Sequence, residues 1–326
     1  MTVTGNASTA AEGPPPELVE RFRASLDGLA PEGARLGLAV SGGPDSTALL
    51  LLAQAAIPGR FEVASVDHGL RPEAAEECAL VVAACEARGI SCEVLRVAVT
   101  EGNVQARARR ARYVALGAWA QRRGLEAIAT AHHADDQAET LLMRLNRGSG
   151  IAGLSGVRER VEIEGVAVPV IRPLLGFRRA QLAGLVAAAG VEVALDPSNA
   201  DPRFDRVRMR NALARADWLD PLALALSARH LAEANEVLEE AAEAYLKENL
   251  QEEGDMLRLA PPGKRAIALI VLGKVFAKLG STPRGSELAV LLDRLEAGQG
   301  GNLAGVLATV EGNQWCVRPE PPRRCV

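Results

Sequence analysis

Aromatic residues and paired cysteines are both scarce in this chain, and each absence excludes a class of protein. Aromatic side chains make up 3% of the 326 residues, so Ala and Leu must fill the core instead. The cysteines form no C-x-x-C pair and no zinc-ligand spacing, which excludes the common zinc modules. There are five of them: Cys78, Cys85, Cys92, Cys316 and Cys325. An odd number of cysteines, without a signal peptide or a long apolar run, predicts a cytoplasmic protein with no membrane span.

The chain also lacks an excess of positive charge. Its formal net charge is −4, so no basic field covers the whole molecule. A nucleic acid would therefore have to be bound by local basic patches. The length allows two domains, one of them large enough for a complete α/β core, and we find no internal repeat.

A stretch near residue 40 has the order strand, glycine turn, helix. Residues 36–40 are apolar, Ser41-Gly42-Gly43-Pro44-Asp45-Ser46 follows, and 47–56 is an apolar helical run. This order directs backbone N–H groups and the positive end of a helix dipole at one spot, which suits a phosphate. The two glycines allow close approach, the two serines add hydroxyl donors, and Asp45 could hold a magnesium ion.

Two well-known phosphate-binding motifs are absent from this turn. No Gly-Lys-Ser/Thr follows, so the turn lacks the lysine that steadies a transferring γ-phosphate in a Walker A motif. The spacing G-x-G-x-x-G is missing too, which excludes the dinucleotide fingerprint.

Strands and helices are predicted to alternate as far as residue 145. Predicted strands at 36–40, 61–67, 91–99 and 125–131 are each followed by a helical pattern, which favours a doubly wound parallel sheet. His68 and His132 follow two of these strands, at the sheet edge where ligands bind, and His132 ranks above the adjacent His133 as a site candidate. We expect Cys78 and Cys85 to lie in the core, away from the glycine turn.

Charged side chains recur on the predicted helices. Arg109 and Arg112 share the side of a basic helix that also carries Tyr113. Asp136 and Glu139 are three positions apart near a helix N-terminus, where they could bind a cation or simply cap the helix. A basic cluster follows a loop near residue 200: Arg203, Arg206, Arg208 and Arg210.

Composition changes after this cluster, and we place a domain boundary there. We expect a disordered tail at residues 1–15, an α/β domain at 16–210 and a smaller, mainly α-helical domain at 211–326. Residues 301–326 are weakly patterned, and we expect a short β element with a loose tail.

Several segments, in order, resemble a known family. S-G-G-P-D-S resembles the PP-loop of the ATP pyrophosphatase superfamily, whose fold is the adenine nucleotide α-hydrolase type. Within it, residues 35–215 resemble the tRNA(Ile)-lysidine synthase family. The other matching segments are V-D-H-G-L-R (66–71), A-R-R-A-R-Y (108–113), A-H-H-A-D-D-Q-A-E-T-L-L-M-R-L (131–145) with G-S-G-I-A-G-L, D-P-S-N, and R-V-R-M-R (206–210). Val207 departs from the family, which often has Asn there.

The resemblance implies a two-step reaction on the wobble cytidine of the isoleucine tRNA with a CAU anticodon. ATP first adenylates the carbon 2 position through its oxygen, releasing pyrophosphate, and free L-lysine then displaces AMP to give lysidine. ATP and Mg²⁺ are the implied cofactors, the α/β domain is the catalytic one, and the helical domain binds tRNA. A homodimer is compatible with the sequence.

The same resemblance implies a role for each candidate residue. Ser41, Gly42, Gly43, Pro44, Asp45 and Ser46 hold the pyrophosphate, with Asp45 as metal ligand. His68 and His132 lie near the nucleotide. Asp136 and Glu139 bind the lysine ammonium and take its proton. Arg109 or Arg112 stabilises the α-phosphate, while Arg206 and Arg208 serve either that phosphate or the tRNA backbone.

Three other functions compete with this interpretation. A PP-loop tRNA thiolase would need paired cysteines or a metal–sulfur cluster, and no C-x-x-C is present. A nucleotide-binding regulatory module would leave the carboxylates and arginines without a role. A ligase that takes ammonia from glutamine would need a glutaminase domain, for which the chain has no room.

Tyr113 and Phe204 are the nearby aromatic candidates for stacking a flipped base.

Overall fold

The computed structural model describes residues 13–69, 73–97, 104–194 and 201–320. Two compact units are present. The first contains the described residues up to 143 and 157–227, and the second contains 144–156 and the described residues from 228 onwards. The predicted tail at 1–15 lies outside the described residues except for 13–15, as do D-P-S-N and the last two residues of V-D-H-G-L-R.

The first unit is built on a six-stranded sheet in the order β3-β2-β1-β4-β6-β5. Neighbouring strands are parallel, except that β5 runs antiparallel to β6. The predicted doubly wound sheet is therefore confirmed. The strands are β1 (Leu36–Ala39), β2 (Phe61–Asp67), β3 (Cys92–Arg96), β4 (Ala127–Ala129), β5 (Arg160–Val161) and β6 (Val170–Ile171).

Helices follow the strands much as the periodicity predicts. They are α1 (Pro16–Asp27), α2 (Pro44–Ala56), α3 (Glu73–Glu86), α4 (Val104–Arg123), α5 (Ala134–Leu145), α6 (Ile151–Leu154), α7 (Arg179–Ala188), α8 (Asp205–Arg215) and α9 (Pro221–Asn249). No helix among the described residues combines the length and the apolar character that crossing a bilayer requires.

The order in which strands are added to the sheet reverses at β1, because β2 and β3 lie on one side of it and β4 lies on the other. Open α/β sheets bind ligands at the carboxyl ends of the strands that flank such a reversal. β1 leads there into Ser41 and the glycine turn, and β4 leads into His132. The topology therefore brings the two segments together.

Two apolar layers hold β1 in place. Leu36 and Leu38 belong to the core formed with α1, α2 and α7, whereas Ala39 belongs to the core that contains Trp119 of α4. Alternate residues of the strand thus face opposite sides of the sheet. A Cβ atom on Gly37 would lie 2.5 Å from the Trp119 ring, so the missing side chain lets α4 pack against β1.

The second unit combines helices with a five-stranded antiparallel sheet in the order β7-β8-β11-β10-β9. Its strands are β7 (Gln251–Glu253), β8 (Met256–Leu259), β9 (Gly301–Leu303), β10 (Val306–Glu311) and β11 (Gln314–Pro319). Its helices include α10 (Arg265–Lys278) and α11 (Gly285–Glu296). Leu272 and Phe276 of α10 pack with Trp315 of β11 in its core.

Two features of this region differ from the sequence-based description. The β element at the end of the chain was expected, but β7 and β8 were not, because Gln-Glu-Glu in β7 has no apolar residue to mark a strand. The expected boundary near residue 210 lies within α8, which groups with the first unit. Arg206 and Arg210 of α8 contact Glu139 of α5 in that unit.

Candidate active site at the carboxyl ends of β1, β2 and β4

A cavity of about 940 Å³ opens at the carboxyl edge of the parallel sheet. All its lining residues belong to the first unit. Among the predicted site residues, it is lined by Ser41, Gly43, Pro44, Asp45, Ser46, His68, Arg112, His132, Asp136 and Arg206. Gly42, Arg109, Glu139 and Arg208 are not part of the lining.

Gly42 gives the turn its shape. Its φ is +83°, and a Cβ atom would lie 3.1 Å from the carbonyl oxygen of Glu77, so a side chain here would be both strained and crowded. Gly43 is the N-cap of α2, and a Cβ atom there would have no neighbour closer than 4.0 Å. The turn therefore presents bare backbone to the cavity at Gly43.

Ser46 braces this turn from inside. Its hydroxyl donates to the carbonyl oxygen of Gly43 at 2.9 Å and accepts from the backbone N–H of Ser41 at 3.1 Å. Because α2 begins at Pro44, the N–H groups of Asp45 and Ser46 have no acceptor within the helix. These N–H groups, together with the helix dipole, form a site suited to an anion.

Asp45 lies over a fully buried histidine that sequence reasoning ranked below its neighbour. His133 Nε2 is 3.4 Å from Asp45 Oδ2. His133 Nδ1 accepts the backbone N–H of Asp136 at 3.4 Å, so the ring proton is assigned to Nε2, on the side of Asp45. Asp45 Oδ1 is buried and has no hydrogen-bond partner among the described residues.

Asp136 both caps α5 and faces the cavity. Its Oδ2 accepts the backbone N–H of His133 at 3.2 Å, which completes a reciprocal cap at the start of the helix. Its Oδ1 lies 3.8 Å from Arg179 and 3.9 Å from Arg206. The two interpretations of Asp136, a helix cap and a cavity ligand, are therefore compatible, because each uses a different oxygen.

Glu139 occupies a different environment from Asp136. Its side chain is 1% exposed, and three guanidiniums surround its carboxylate. The distances are 3.4 Å to Arg179, 3.2 Å to Arg206 and 2.9 Å to Arg210. The two carboxylates thus share one helix, but only Asp136 reaches the cavity in this arrangement.

The two histidines of the cavity have lowered pKa values. The pKa of His132 is lowered to about 3, and burial is the largest cause. Nearby guanidiniums lower this pKa further, whereas the negative charge of Asp136 raises it. Burial also lowers the pKa of His68, as does the charge of Arg112. Both imidazoles are therefore neutral at physiological pH. Thr130 Oγ1 lies 3.1 Å from His132 Nδ1 and orients the ring.

Arg112 is the arginine of α4 that reaches the cavity. Burial lowers the pKa of its guanidinium, as expected for a cation withdrawn from water. Arg109 instead stacks on the ring of Tyr113, with its guanidinium carbon 5.2 Å from the ring centre. Tyr113 is itself buried, which leaves Phe204, 41% exposed, as the accessible one of the two stacking candidates.

Cys78 was expected to lie away from the glycine turn, and the structure corrects this. Its thiol lines the same cavity and accepts a hydrogen bond from the hydroxyl of Ser65 at 3.3 Å. Burial raises the pKa of the thiol, so it stays protonated and is a weak nucleophile. The helical spacing of α3 predicted burial of Cys78, but it could not show that the buried side faces the sheet edge.

Residues 18–216 match the PP-loop domain family. The chain is 49% identical to tRNA(Ile)-lysidine synthase of Novosphingobium aromaticivorans over 93% of its own length and 94% of the relative. It is 38% identical to tRNA(Ile)-lysidine synthase of Zymomonas mobilis, over 95% of its length and 96% of the relative. The chain belongs to the tRNA(Ile)-lysidine synthase family.

A solved structure supports the fold of this family member. The U34-tRNA thiolase NcsA from Methanococcus maripaludis aligns with a TM-score of 0.53 over 66% of this chain and 76% of that chain. The sequence identity is 17%, so the likeness concerns the fold alone.

Several residues of this synthase-family site escaped the sequence reasoning. Arg172 and Arg179 received no role, Arg210 was noted only as a member of the basic cluster, and His133 was ranked below His132. His133 directly precedes α5, and Asp136 is the third residue of that helix. Residues at these two positions often cap each other, so this spacing could have indicated His133. No local signal marks Arg172, which becomes a buried neighbour of His132 only after folding.

We predict that His132 does not titrate between pH 5 and 8. Its folded pKa of about 3 lies below the ordinary value of 6.5, so the unfolded chain takes up the proton first as the pH falls. His132 should therefore make the free energy of unfolding decrease as the pH falls from about 6.5 towards 3. Nitrogen NMR of the imidazole, assigned with His132→Gln, would measure this pKa, and a midpoint near 6.5 would contradict it.

Proposed function

We propose that this chain forms lysidine at the wobble cytidine of the isoleucine tRNA with a CAU anticodon, using ATP and free L-lysine. It would thus be an ATP-dependent carbon–nitrogen ligase. One observation carries the proposal: the glycine turn and Asp136 line the same cavity. The names of the relatives support the choice of reaction.

The first proposed step places AMP on the base. The cytosine 2-oxygen attacks the α-phosphorus of ATP, the bond to the bridging oxygen breaks, and pyrophosphate leaves. The loop from Ser41 to Ser46 and the start of α2 would hold the pyrophosphate, which fits the absence of the Walker A lysine. Arg112 would stabilise the charge on the α-phosphate, because its buried guanidinium faces the cavity.

The second proposed step needs an amine without its extra proton. The ε-amine of lysine attacks carbon 2, and AMP leaves with the electron pair of the broken bond. Asp136 would bind the ammonium group and accept its proton, with Glu139 as the second carboxylate. His68 and His132 are neutral, so they can position the nucleotide by hydrogen bonds without adding charge.

We further propose a magnesium ion beside Asp45. Asp45 Oδ1 is buried and has no hydrogen-bond partner among the described residues. Such an oxygen suits a cation that prefers carboxylate ligands. The described part of the chain contains no group of three or more His, Cys, Asp or Glu side chains arranged for a metal. Phosphate oxygens and water would therefore complete the coordination, and the ion would offset phosphate charge when bound.

The decisive test is the mass of the wobble nucleoside. Purified protein would be incubated with the tRNA, ATP and labelled lysine, and the nucleoside analysed after digestion. We expect lysidine together with AMP and pyrophosphate. Incorporation of labelled sulfide instead would indicate a thiolase, and no ATP cleavage in the presence of tRNA and lysine would indicate a binding module without turnover.

Arg206 and Arg208 should have separable effects. Arg206 lines the cavity and contacts Glu139, whereas Arg208 is 66% exposed and pairs with Asp205 on the surface of α8. We predict that Arg208→Gln makes the plot of log affinity for tRNA against log salt less steep. The slope should change by the amount that one phosphate contact contributes, which is roughly one. Arg206→Gln should instead weaken ATP binding. Filter binding of tRNA over a salt series would measure the slope, and filter binding of labelled ATP would measure the nucleotide affinity. An unchanged slope for Arg208→Gln would rule out its phosphate contact.

The proposed substrates also indicate where the enzyme works. Transfer RNA, ATP and free lysine occur together in the cytoplasm, and we propose that the enzyme works there. A homodimer remains a prediction, which sedimentation of the purified chain would test.

A further inference from the structure

Three cavity-lining guanidiniums neutralise the carboxylates proposed to bind lysine. Arg179, Arg206 and Arg210 all line the cavity, and all three contact the buried carboxylate of Glu139. Arg179 and Arg206 also lie within 4 Å of Asp136 Oδ1. An incoming ammonium group would therefore meet carboxylates that already have cationic partners.

Glu139 has more cationic partners than one carboxylate needs, and all three of these guanidiniums line the cavity. Three guanidiniums surround Glu139, although a single one would neutralise it. Burial lowers the pKa of Arg210, but its hydrogen bond to Glu139 and the charges of Glu139, Asp136 and Asp45 raise it by more. The guanidinium therefore stays charged, and a second anion in the cavity would be attracted to it.

A phosphate chain at the glycine turn would be that second anion. Asp45 of the turn and Arg179, Arg206 and Arg210 line one cavity. Guanidiniums bind phosphate oxygens in a bidentate manner and lose little by leaving a carboxylate for a phosphate. The backbone of Arg179 is anchored, because its N–H donates to Asp135 Oδ2 at 2.7 Å, so the side chain can turn while α7 stays in place.

We propose that Arg179, Arg206 and Arg210 couple the binding of the two small substrates. They hold Glu139 and Asp136 until the phosphates of ATP attract them, and the carboxylates thus released bind the lysine ammonium. This inference rests on the proposed function. It makes Arg179 and Arg210, which sequence reasoning left without a role, positioning residues for lysine and phosphate ligands for ATP.

The coupling has a measurable thermodynamic consequence. ATP and lysine must strengthen each other's binding by the same factor, because coupling free energy is reciprocal. Couplings of this kind typically change an affinity by roughly 5- to 150-fold. We expect the affinity for lysine to rise by at least roughly tenfold when the nucleotide is bound.

Calorimetry on the full chain without tRNA would test this coupling. L-lysine would be titrated into the protein alone and into the protein saturated with Mg²⁺ and α,β-methylene ATP, which cannot be cleaved between those phosphates. Equal lysine affinity in the two states, or weaker binding with the nucleotide, would overturn the inference while lysidine formation still supported the proposed function. Failure of lysine to bind in either state would also overturn the inference. The nucleoside assay would then test the proposed function separately.

Arg179→Gln separates coupling through the arginines from direct attraction between phosphate and lysine. The variant removes one competing cation and leaves Arg206 and Arg210 on Glu139, so we expect tighter lysine binding without nucleotide and a smaller coupling factor. A merely structural role would weaken lysine binding in both states. Arg122→Gln removes a guanidinium that pairs with Glu93 on the surface of the same unit, and it should keep the wild-type coupling. Undiminished coupling in Arg179→Gln would overturn the role of the arginines.

Discussion

Replacing Asp45 with asparagine is expected to reduce tRNA-dependent pyrophosphate release at least roughly hundredfold. The substitution keeps the shape of the side chain but removes the negative charge that would hold magnesium beside the phosphates. Asp45 Oδ1 has no hydrogen-bond partner among the described residues, so the substitution should change the stability of the folded protein little. Release of labelled pyrophosphate, measured with tRNA and lysine present, gives the rate.

Binding of tRNA serves as the second readout for Asp45→Asn. We expect the affinity for tRNA and the melting temperature to stay close to those of the wild type. Asp27→Asn, which changes an exposed carboxylate at the end of α1 in the same unit, is the matched control. Equal losses of pyrophosphate release and tRNA binding would show that Asp45 supports the structure rather than the chemistry.

Replacing Asp136 with asparagine should raise the KM for lysine by roughly a hundredfold, and it should not raise the KM for ATP. Loss of one partner from a buried charge pair typically costs about 2–5 kcal/mol, and about 1.4 kcal/mol corresponds to a tenfold change in affinity. Asparagine can still accept the N–H of His133, so the cap of α5 should survive. Steady-state kinetics with each substrate varied in turn would measure both constants.

The nucleotide provides the internal control for Asp136→Asn. A parallel rise in both KM values would mean that the substitution disturbs the whole cavity, and unchanged lysine kinetics would remove Asp136 from lysine binding. Asp27→Asn should again behave like the wild type. Glu139→Gln is a poorer test, because it removes the charge that three guanidiniums share.

The glycine turn shows how far local sequence can predict a site. A buried strand, two glycines and the start of a helix are neighbours in the chain, so their order already predicts an anion site. The structure adds the reason for Gly42, which is the closeness of the Glu77 carbonyl across the turn. That contact involves a helix 35 positions away, since 77 − 42 = 35, and no local pattern reveals it.

The charged residues show where local sequence stops being sufficient. Asp136 and Glu139 look equivalent on a helical projection, yet only Asp136 lines the cavity. The difference arises because Arg179, Arg206 and Arg210, which lie 40, 67 and 71 positions from Glu139, fold over it. Likewise, Arg109 and Arg112 share one helix, but packing turns Arg112 towards the cavity and Arg109 onto Tyr113.

The sequence by itself determined the parallel sheet, the phosphate-binding turn and the family, because apolar periodicity, turn residues and ordered motifs depend on neighbours in the chain. Tertiary structure alone decided that His133 lies beneath Asp45, that Cys78 faces the cavity and that Glu139 is covered by guanidiniums. Those features depend on distances between segments remote in sequence. Burial and electrostatic interaction, which set the state of each charged group, exist only once those segments are packed together.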